Sequence, residues 1–290
     1  MSPKDIFLHL RFPFSFFLMP IYWLALSQQQ AGYTFVNILI FIVLHICIYP
    51  ASNAYNSYFD KDEGSIGGLE NPPKVDRKLW KAANYFDAAG ILIAFFMVDR
   101  FFGLGVLFYV AVSRMYSYTG VRLKKYAVIS WLIVGLFQGA LVFFLVFTFG
   151  QKLNPVEFLE ATTQAGEPAY LGAIMSAFIL WAVYPLTQVY QHEADSKSGD
   201  RTISMLLGVK GTFVFSMIFF AFAFVVAYLF LPAFEFYRFV GFSLPVAGFL
   251  NIWFVKVLKD QSMADFKHTM QLNVLSSVML NICFLLNILW

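Results

Sequence analysis

The stretch IYPASNAYNSYFDKDEG, Ile48–Gly64, returns in altered form as VYPLTQVYQHEADSKSG, Val183–Gly199. In register, Tyr49 pairs with Tyr184, Pro50 with Pro185, Tyr55 with Tyr190, Asp60 with Asp195 and Gly64 with Gly199. Amide matches amide at Asn53 and Gln188, and again at Asn56 and Gln191. On a helix, Asn53, Asn56 and Asp60 stand at i, i+3 and i+7 and share one face, and Gln188, Gln191 and Asp195 repeat the spacing. Each copy therefore lines up two amide carbonyls and a carboxylate, the hard oxygen donors that Mg²⁺ takes. Chance is a poor account of two such faces in register. Asp60 and Asp195, the carboxylates aligned between the copies, are the expected metal-binding and catalytic residues, with Asn53, Asn56 and Gln191 as further ligands.

Around these copies the chain is apolar. With 60% hydrophobic and only 13% charged residues, it reads as an integral membrane protein. Nothing in it points to a nucleic-acid partner; membrane lipid is the expected surroundings. Cys47 and Cys283 both lie inside apolar runs, so no disulfide framework or thiolate metal site is expected. Lys4 and Arg11 precede an apolar run ending near Leu26, which resembles a secretory signal but is read as a retained first helix. Segments long enough to cross a roughly 30 Å hydrocarbon layer fall at about 12–27, 34–52, 84–98, 101–118, 129–149, 170–189, 212–231, 238–255 and 272–290. The expected fold is all-α and polytopic, one domain over 1–290 with about nine transmembrane helices. Its pseudo-repeats run about 12–128 and 129–255, followed by a final helix.

Basic residues test that count. With the N-terminus cytoplasmic, 17 of the 20 Lys and Arg fall on one side, and only Arg100, Lys152 and Arg238 on the other, as the positive-inside rule requires. Both copies then end on the cytoplasmic side. Pro50 and Pro185 each lie one turn before a polar face, where a missing N–H bends a helix; the bends are expected to tilt both polar ends toward a common centre.

The loops continue the pattern. After Asp60 come Asp62 and Glu63, then Lys74, Arg77, Lys78 and Lys81. After the second copy, Glu193 and Asp200 mingle with Lys197, Arg201 and Lys210. Such a mixture suits a metal-bridged diphosphate, with carboxylates on the metal and Arg or Lys on phosphate oxygens. A third stretch, RMYSYTGVRLKKYAV, adds Arg114, Arg122, Lys124 and Lys125, with Tyr116 as a hydroxyl donor; alone it reads as positive-inside anchoring. His45 reads as a helix-packing group. The 36 phenylalanines supply rings to line a prenyl tunnel and face a carbocation.

Together these motifs resemble the UbiA-type intramembrane prenyltransferase superfamily along most of the chain. Its NDxxDxxxD-like motif corresponds to NSYFDKDEG, with Asn56 and Asp60, and the spaced asparagines are most similar to the menaquinone-type branch. Its second motif corresponds to QHEADSKSGDRT, with Asp195, Gly199, Arg201 and Thr202. Its YSxxPxRLK loop corresponds to YSYTGVRLK, with Tyr116, Ser117, Arg122, Leu123 and Lys124. Ser57 and Gln191 stand where the family pattern carries Asp, and Asp62, Glu63, Glu193 and Asp200 are candidates to restore that charge. The resemblance implies Mg²⁺-dependent transfer of a prenyl group from an isoprenyl diphosphate to an aromatic acceptor, such as a hydroxybenzoate or quinone-ring precursor. Arg122, Lys124, Arg201 and Lys197 would bind the diphosphate. It also implies a multi-pass protein of a membrane such as the bacterial inner membrane, with the active-site loops cytoplasmic, and predicts that Ser57→Asp strengthens Mg²⁺ binding. Two alternatives are a non-catalytic prenyl-lipid binder, which the missing aspartates suggest, and a secondary transporter. Transporters also carry repeats and broken helices, but bind near the bilayer midplane.

The charge split makes topology testable. Single cysteines near Gly67 and Ser198 are expected to react only with cytoplasmic reagent, and one near Gln164 only from outside. Opposite-side labelling of the first two would overturn a shared cytoplasmic site.

Overall fold

The computed structural model describes residues 1–30, 34–61, 64–163 and 165–289. Its helices are α1 (Pro3–Ser27), α2 (Phe35–Asp60), α3 (Arg77–Val98), α4 (Arg100–Ser117), α5 (Ala127–Gly150), α6 (Tyr170–Leu186), α7 (His192–Lys197), α8 (Ile203–Phe230), α9 (Ala233–Lys259) and α10 (Phe266–Leu289). Among the described residues, seven of them are long and apolar enough to cross a membrane: α1, α2, α3, α5, α8, α9 and α10. The fourth and sixth segments expected from the sequence are helical too, as α4 with 18 residues and α6 with 17.

Two compact units divide the chain. One comprises Met1–Phe16 and Tyr33–Lys125, the other Phe17–Gly32 and Tyr126–Trp290.

In the first unit, proline and aspartate set the helix boundaries. Ser2 and Asp5 form a reciprocal capping box around Pro3. Arg11 adopts the left-handed conformation (φ 48°) and interrupts α1, which restarts with Pro13 in its first turn. Pro50 cannot donate a hydrogen bond, and the helix widens to a π turn over Ile42–Ile48 directly before it. Asp99 is extended and accepts from the N–H of Phe101 at 2.6 Å. This N-cap is what separates α3 from α4, where the apolar run of the sequence is almost continuous. Leu10, Ala54, Tyr55, Leu79 and Ala83 form a buried cluster joining α1, α2 and α3.

In the second unit, small residues let helices approach, the usual device where lipid removes the hydrophobic drive between helices. A Cβ added to Gly139 of α5 would lie 2.6 Å from the carbonyl oxygen of Ser176 on α6. Trp131 and Trp181 pack with ring centroids 5.2 Å apart on the same pair of helices. Leu186, Phe213, Leu250, Trp253 and Leu272 form the core among α6, α8, α9 and α10. Gly208, at φ 66° and ψ 166°, kinks α8 near its start.

Gly139→Leu should push α5 off α6 and destabilise the protein by about 1–3 kcal/mol or more, read as a lower melting temperature in detergent. Gly64→Ala, where the added carbon meets nothing within 4 Å, should leave the melting temperature unchanged.

Candidate functional site

In the first unit the repeated stretch folds as expected from its spacing. α2 runs unbroken from Tyr49 through Asp60, so Asn53, Asn56 and Asp60 share a face. The Asp60 side chain is only 6% exposed, and its Oδ1 lies 2.5 Å from Lys124 Nζ and 3.5 Å from Arg122 Nη1. Both cations come from the YSYTGVRLK loop. The loop reaches Asp60 because Tyr118 leaves α4 in an extended conformation and Arg122 turns left-handed (φ 46°) into a 3₁₀ turn over Leu123–Lys125. Asn56 donates to Ser117 Oγ at 3.0 Å, which ties the amide to the same loop and leaves its carbonyl oxygen as the acceptor.

Two residues here were not expected as site residues. Arg11, read from the sequence as a membrane anchor, is buried and donates to the backbone carbonyls of Asn53 at 3.2 Å and Gly67 at 3.0 Å. It thereby pins the amide turn of α2 to the start of the following loop. Arg114 pairs with Asp87 on α3 and lies 3.7 Å from the ring centre of Tyr55, joining α2, α3 and α4 one turn below Asn56. Each carries a charge inside an apolar setting, which was the available signal. Tyr116 sits half-buried on the last turns of α4. Asp62 and Glu63 lie outside the described residues.

The second copy departs from expectation. The predicted helical face of Gln188, Gln191 and Asp195 is broken, because α6 ends at Leu186 and α7 begins only at His192. Between them the chain winds in tight turns, with Thr187, Gln188 and Gln191 donating to the carbonyls of Tyr184, Pro185 and Gln188. Pro185 has no N–H to continue the helix, and the Thr187 hydroxyl takes the Tyr184 carbonyl at 2.7 Å. Gln188 turns inward, 4% exposed, and its Oε1 accepts from the Ser204 N–H at 3.4 Å. Gln191 Nε2 donates to Tyr190 Oη at 3.1 Å. Asp195 is half-buried on α7, Asp200 is buried, and Arg201 is exposed. Glu193 and Lys197 pair with each other at 2.6 Å in full solvent contact, a contact of small energetic weight that occupies the Lys197 ammonium expected on a diphosphate. His192, also missed, places Nε2 2.7 Å from Ser204 Oγ, and burial holds its imidazole below the usual histidine range.

Among the described residues, no three His, Cys, Asp or Glu side chains converge as a ready-made metal cage. That donor set still fits Mg²⁺ of one kind: an ion that keeps waters and is held by one or two carboxylates together with substrate phosphates. Asp60 with two cations beside it leaves a net positive face, suited to a polyanion and its metal.

A helical membrane protein with a cation-rich polar face at a helix end is the class these features define. The chain belongs to the UbiA prenyltransferase family, whose model matches residues 17–275. Among solved structures it is similar to a UbiA homolog from Archaeoglobus fulgidus bound to GPP and Mg²⁺, at 16% identity and TM-score 0.67 over 99% of this chain and 100% of that one. An apo UbiA homolog from Aeropyrum pernix K1 aligns at 15% identity and TM-score 0.69 over 95% and 98%. A structure for digeranylgeranylglyceryl phosphate synthase in membranes aligns at 15% and 0.59 over 99% and 97%. Comparison with curated proteins finds no match. The chain is thus an integral, multi-pass membrane protein with the fold expected from its motifs.

Ser57 offers a test of the local geometry. It is 2% exposed, and its Oγ has no hydrogen-bond partner among the described residues. Ser57→Asp therefore places a carboxylate in a closed position, where an unpaired charge is costly. The expected outcome is a lower melting temperature with no fall in the Mg²⁺ needed for diphosphate binding, the reverse of the expectation from the motif alone.

Proposed function

We propose that the protein transfers a prenyl group from an isoprenyl diphosphate to an acceptor within the membrane, an aromatic acceptor by resemblance to the family. The observation that carries this reading is Asp60 gripped by Lys124 and Arg122, on the first of the family's motifs, with Asn56 tied to the same loop. Asp60 and Asp195, with Asn53, Asn56 and Gln191, would hold Mg²⁺ that arrives with the diphosphate. When bound, the metal supplies neutralisation of the leaving group's charge. Arg122, Lys124 and Arg201 contribute charge-assisted hydrogen bonds to the same oxygens. The allylic C–O bond breaks with its electron pair going to diphosphate, the acceptor forms the new bond, and its displaced proton leaves to solvent. Apolar helices keep water from the allylic cation, and fixed cations stabilise the charge that develops on the leaving group. The loops carrying these residues are proposed to be cytoplasmic, in a membrane such as the bacterial inner membrane.

A second reading, a prenyl-diphosphate binder without turnover, is motivated by Ser57 and Gln191, which stand where the family pattern carries Asp. Product formation from geranyl diphosphate and a panel of acceptors, read by mass spectrometry, separates the two.

Titration calorimetry with geranyl diphosphate and Mg²⁺ tests the site itself. Asp60→Asn and Asp195→Asn are each expected to abolish measurable Mg²⁺-dependent binding. Arg122→Ala, Lys124→Ala and Arg201→Ala should each weaken it about tenfold or more, the size of one lost charge-assisted contact of about 1.5–3 kcal/mol. Normal affinity in the two Asn variants would remove the centre of this reading.

A further inference from the structure

The second unit encloses a cavity of about 350 Å³ between the Phe17–Ile21 turn of α1 and helices α6, α8, α9 and α10. Its walls are hydrocarbon and aromatic, Phe17, Phe220, Phe224 and Phe239 among them, and no lining side chain carries a charge. Five polar side chains interrupt the lining. Two are satisfied locally: Ser276 donates to the Asn273 carbonyl at 3.1 Å, and Asn251 to the Ala247 carbonyl at 2.8 Å. The other three are Ser243 on α9 and Asn273 and Ser277 on α10, which are 8%, 5% and 3% exposed. These three side chains line the cavity, and no hydrogen bond ties them to another described residue. Asn273 and Ser277 stand at i and i+4, on one face of α10.

Buried amides and hydroxyls are ordinarily hydrogen-bonded. Three such groups facing one cavity, none tied to a neighbouring side chain or backbone group, offer their hydrogen bonds to whatever occupies it. The walls limit what that is. Charge is excluded, because no opposite charge is present to meet it in a low-dielectric space. Volume and lining match a small-ligand pocket, in which a few polar groups orient a mostly apolar body. Asn and Ser each donate and accept, so the complementary group is a hydroxyl or carbonyl.

We propose that this cavity binds an uncharged amphiphile, an apolar body bearing a hydroxyl or carbonyl that hydrogen-bonds to Asn273 and Ser277. The occupant is then a neutral, lipid-soluble compound and not a carboxylate-bearing ring.

Equilibrium dialysis on the full chain in lipid nanodiscs, corrected with empty nanodiscs, tests this without Mg²⁺ or diphosphate. Failure of the Asp60 site would therefore leave the result unchanged. The probes are 1-naphthol, its anionic counterpart 1-naphthoate, naphthalene and farnesol. 1-Naphthol is expected to bind, naphthalene about fivefold more weakly, and 1-naphthoate not at all. Asn273→Leu should weaken 1-naphthol five- to tenfold, the size of one neutral hydrogen bond, and leave naphthalene unchanged. The same variant should raise the melting temperature of the ligand-free protein, because it removes an unpaired buried amide; a merely structural asparagine would lower it. Ser277→Ala with Ser243→Ala gives the same comparison if Asn273→Leu does not fold. Equal binding of 1-naphthoate, or 1-naphthol affinity unchanged by both sets of substitutions, overturns the proposal. Farnesol displacing 1-naphthol with the same dependence on Asn273 would support the proposal with an acyclic body in place of a ring.

Discussion

A carboxylate at the end of an apolar helix has to be met by something, and here Lys124 and Arg122 meet Asp60. Left alone at 6% exposure, that charge would cost several kcal/mol; left alone, the two cations would repel one another. The end of α2 and the loop after α4 are therefore necessary to each other. Much of the local backbone serves this meeting: the left-handed turn at Arg122, the 3₁₀ turn behind it, and Asn56 bonded to Ser117 one helical turn away. The same arrangement leaves one more positive charge than negative at the helix end. Structure and chemistry meet there, because the cations that neutralise Asp60 are also the groups an anion would compete for.

Sequence told much of this, and physical reasons separate what was legible from what was not. Spacing at i, i+3 and i+7 predicts a shared face only where the helix continues, and it does continue through Asp60. In the second copy Pro185 and the Thr187 hydroxyl stop it, so identical spacing gives no shared face. The basic loop was legible as a motif, whereas its convergence on Asp60 is a contact across 62 and 64 residues of chain, beyond any local pattern. Helix ends also ran past the apolar segments: α3 starts at Arg77 and α10 at Phe266, well before the hydrocarbon-rich stretch of each. Hydropathy reports where a chain meets lipid, while helix length is set by caps and turns beyond the lipid. Arg11 and Arg114 were hidden for a related reason, since counting positive charges assigns each to an anchor and cannot see that Arg11 is buried and Arg114 paired with Asp87.

The two units divide the labour of polarity. Charges and amides crowd the first, where Arg11, Asp60, Asp87, Arg114, Arg122 and Lys124 are all at most partly exposed. In the second, the cavity among α6, α8, α9 and α10 is lined by apolar side chains, serine and asparagine, with no charge.

The broken helix at residues 187–191 has a bearing on how such a duplicated chain diverges. The two copies share a register, yet a substitution meets different constraints in each. In the first copy a change at Asn53, Asn56 or Asp60 alters charge or donor count on one continuous helix face. In the second, Gln188 is a strut under the first turn of α8, so the pressure there is for fit to the Ser204 N–H and not for ligand chemistry. Weighting the two copies equally would therefore mistake a position that holds the start of α8 for one that faces a ligand.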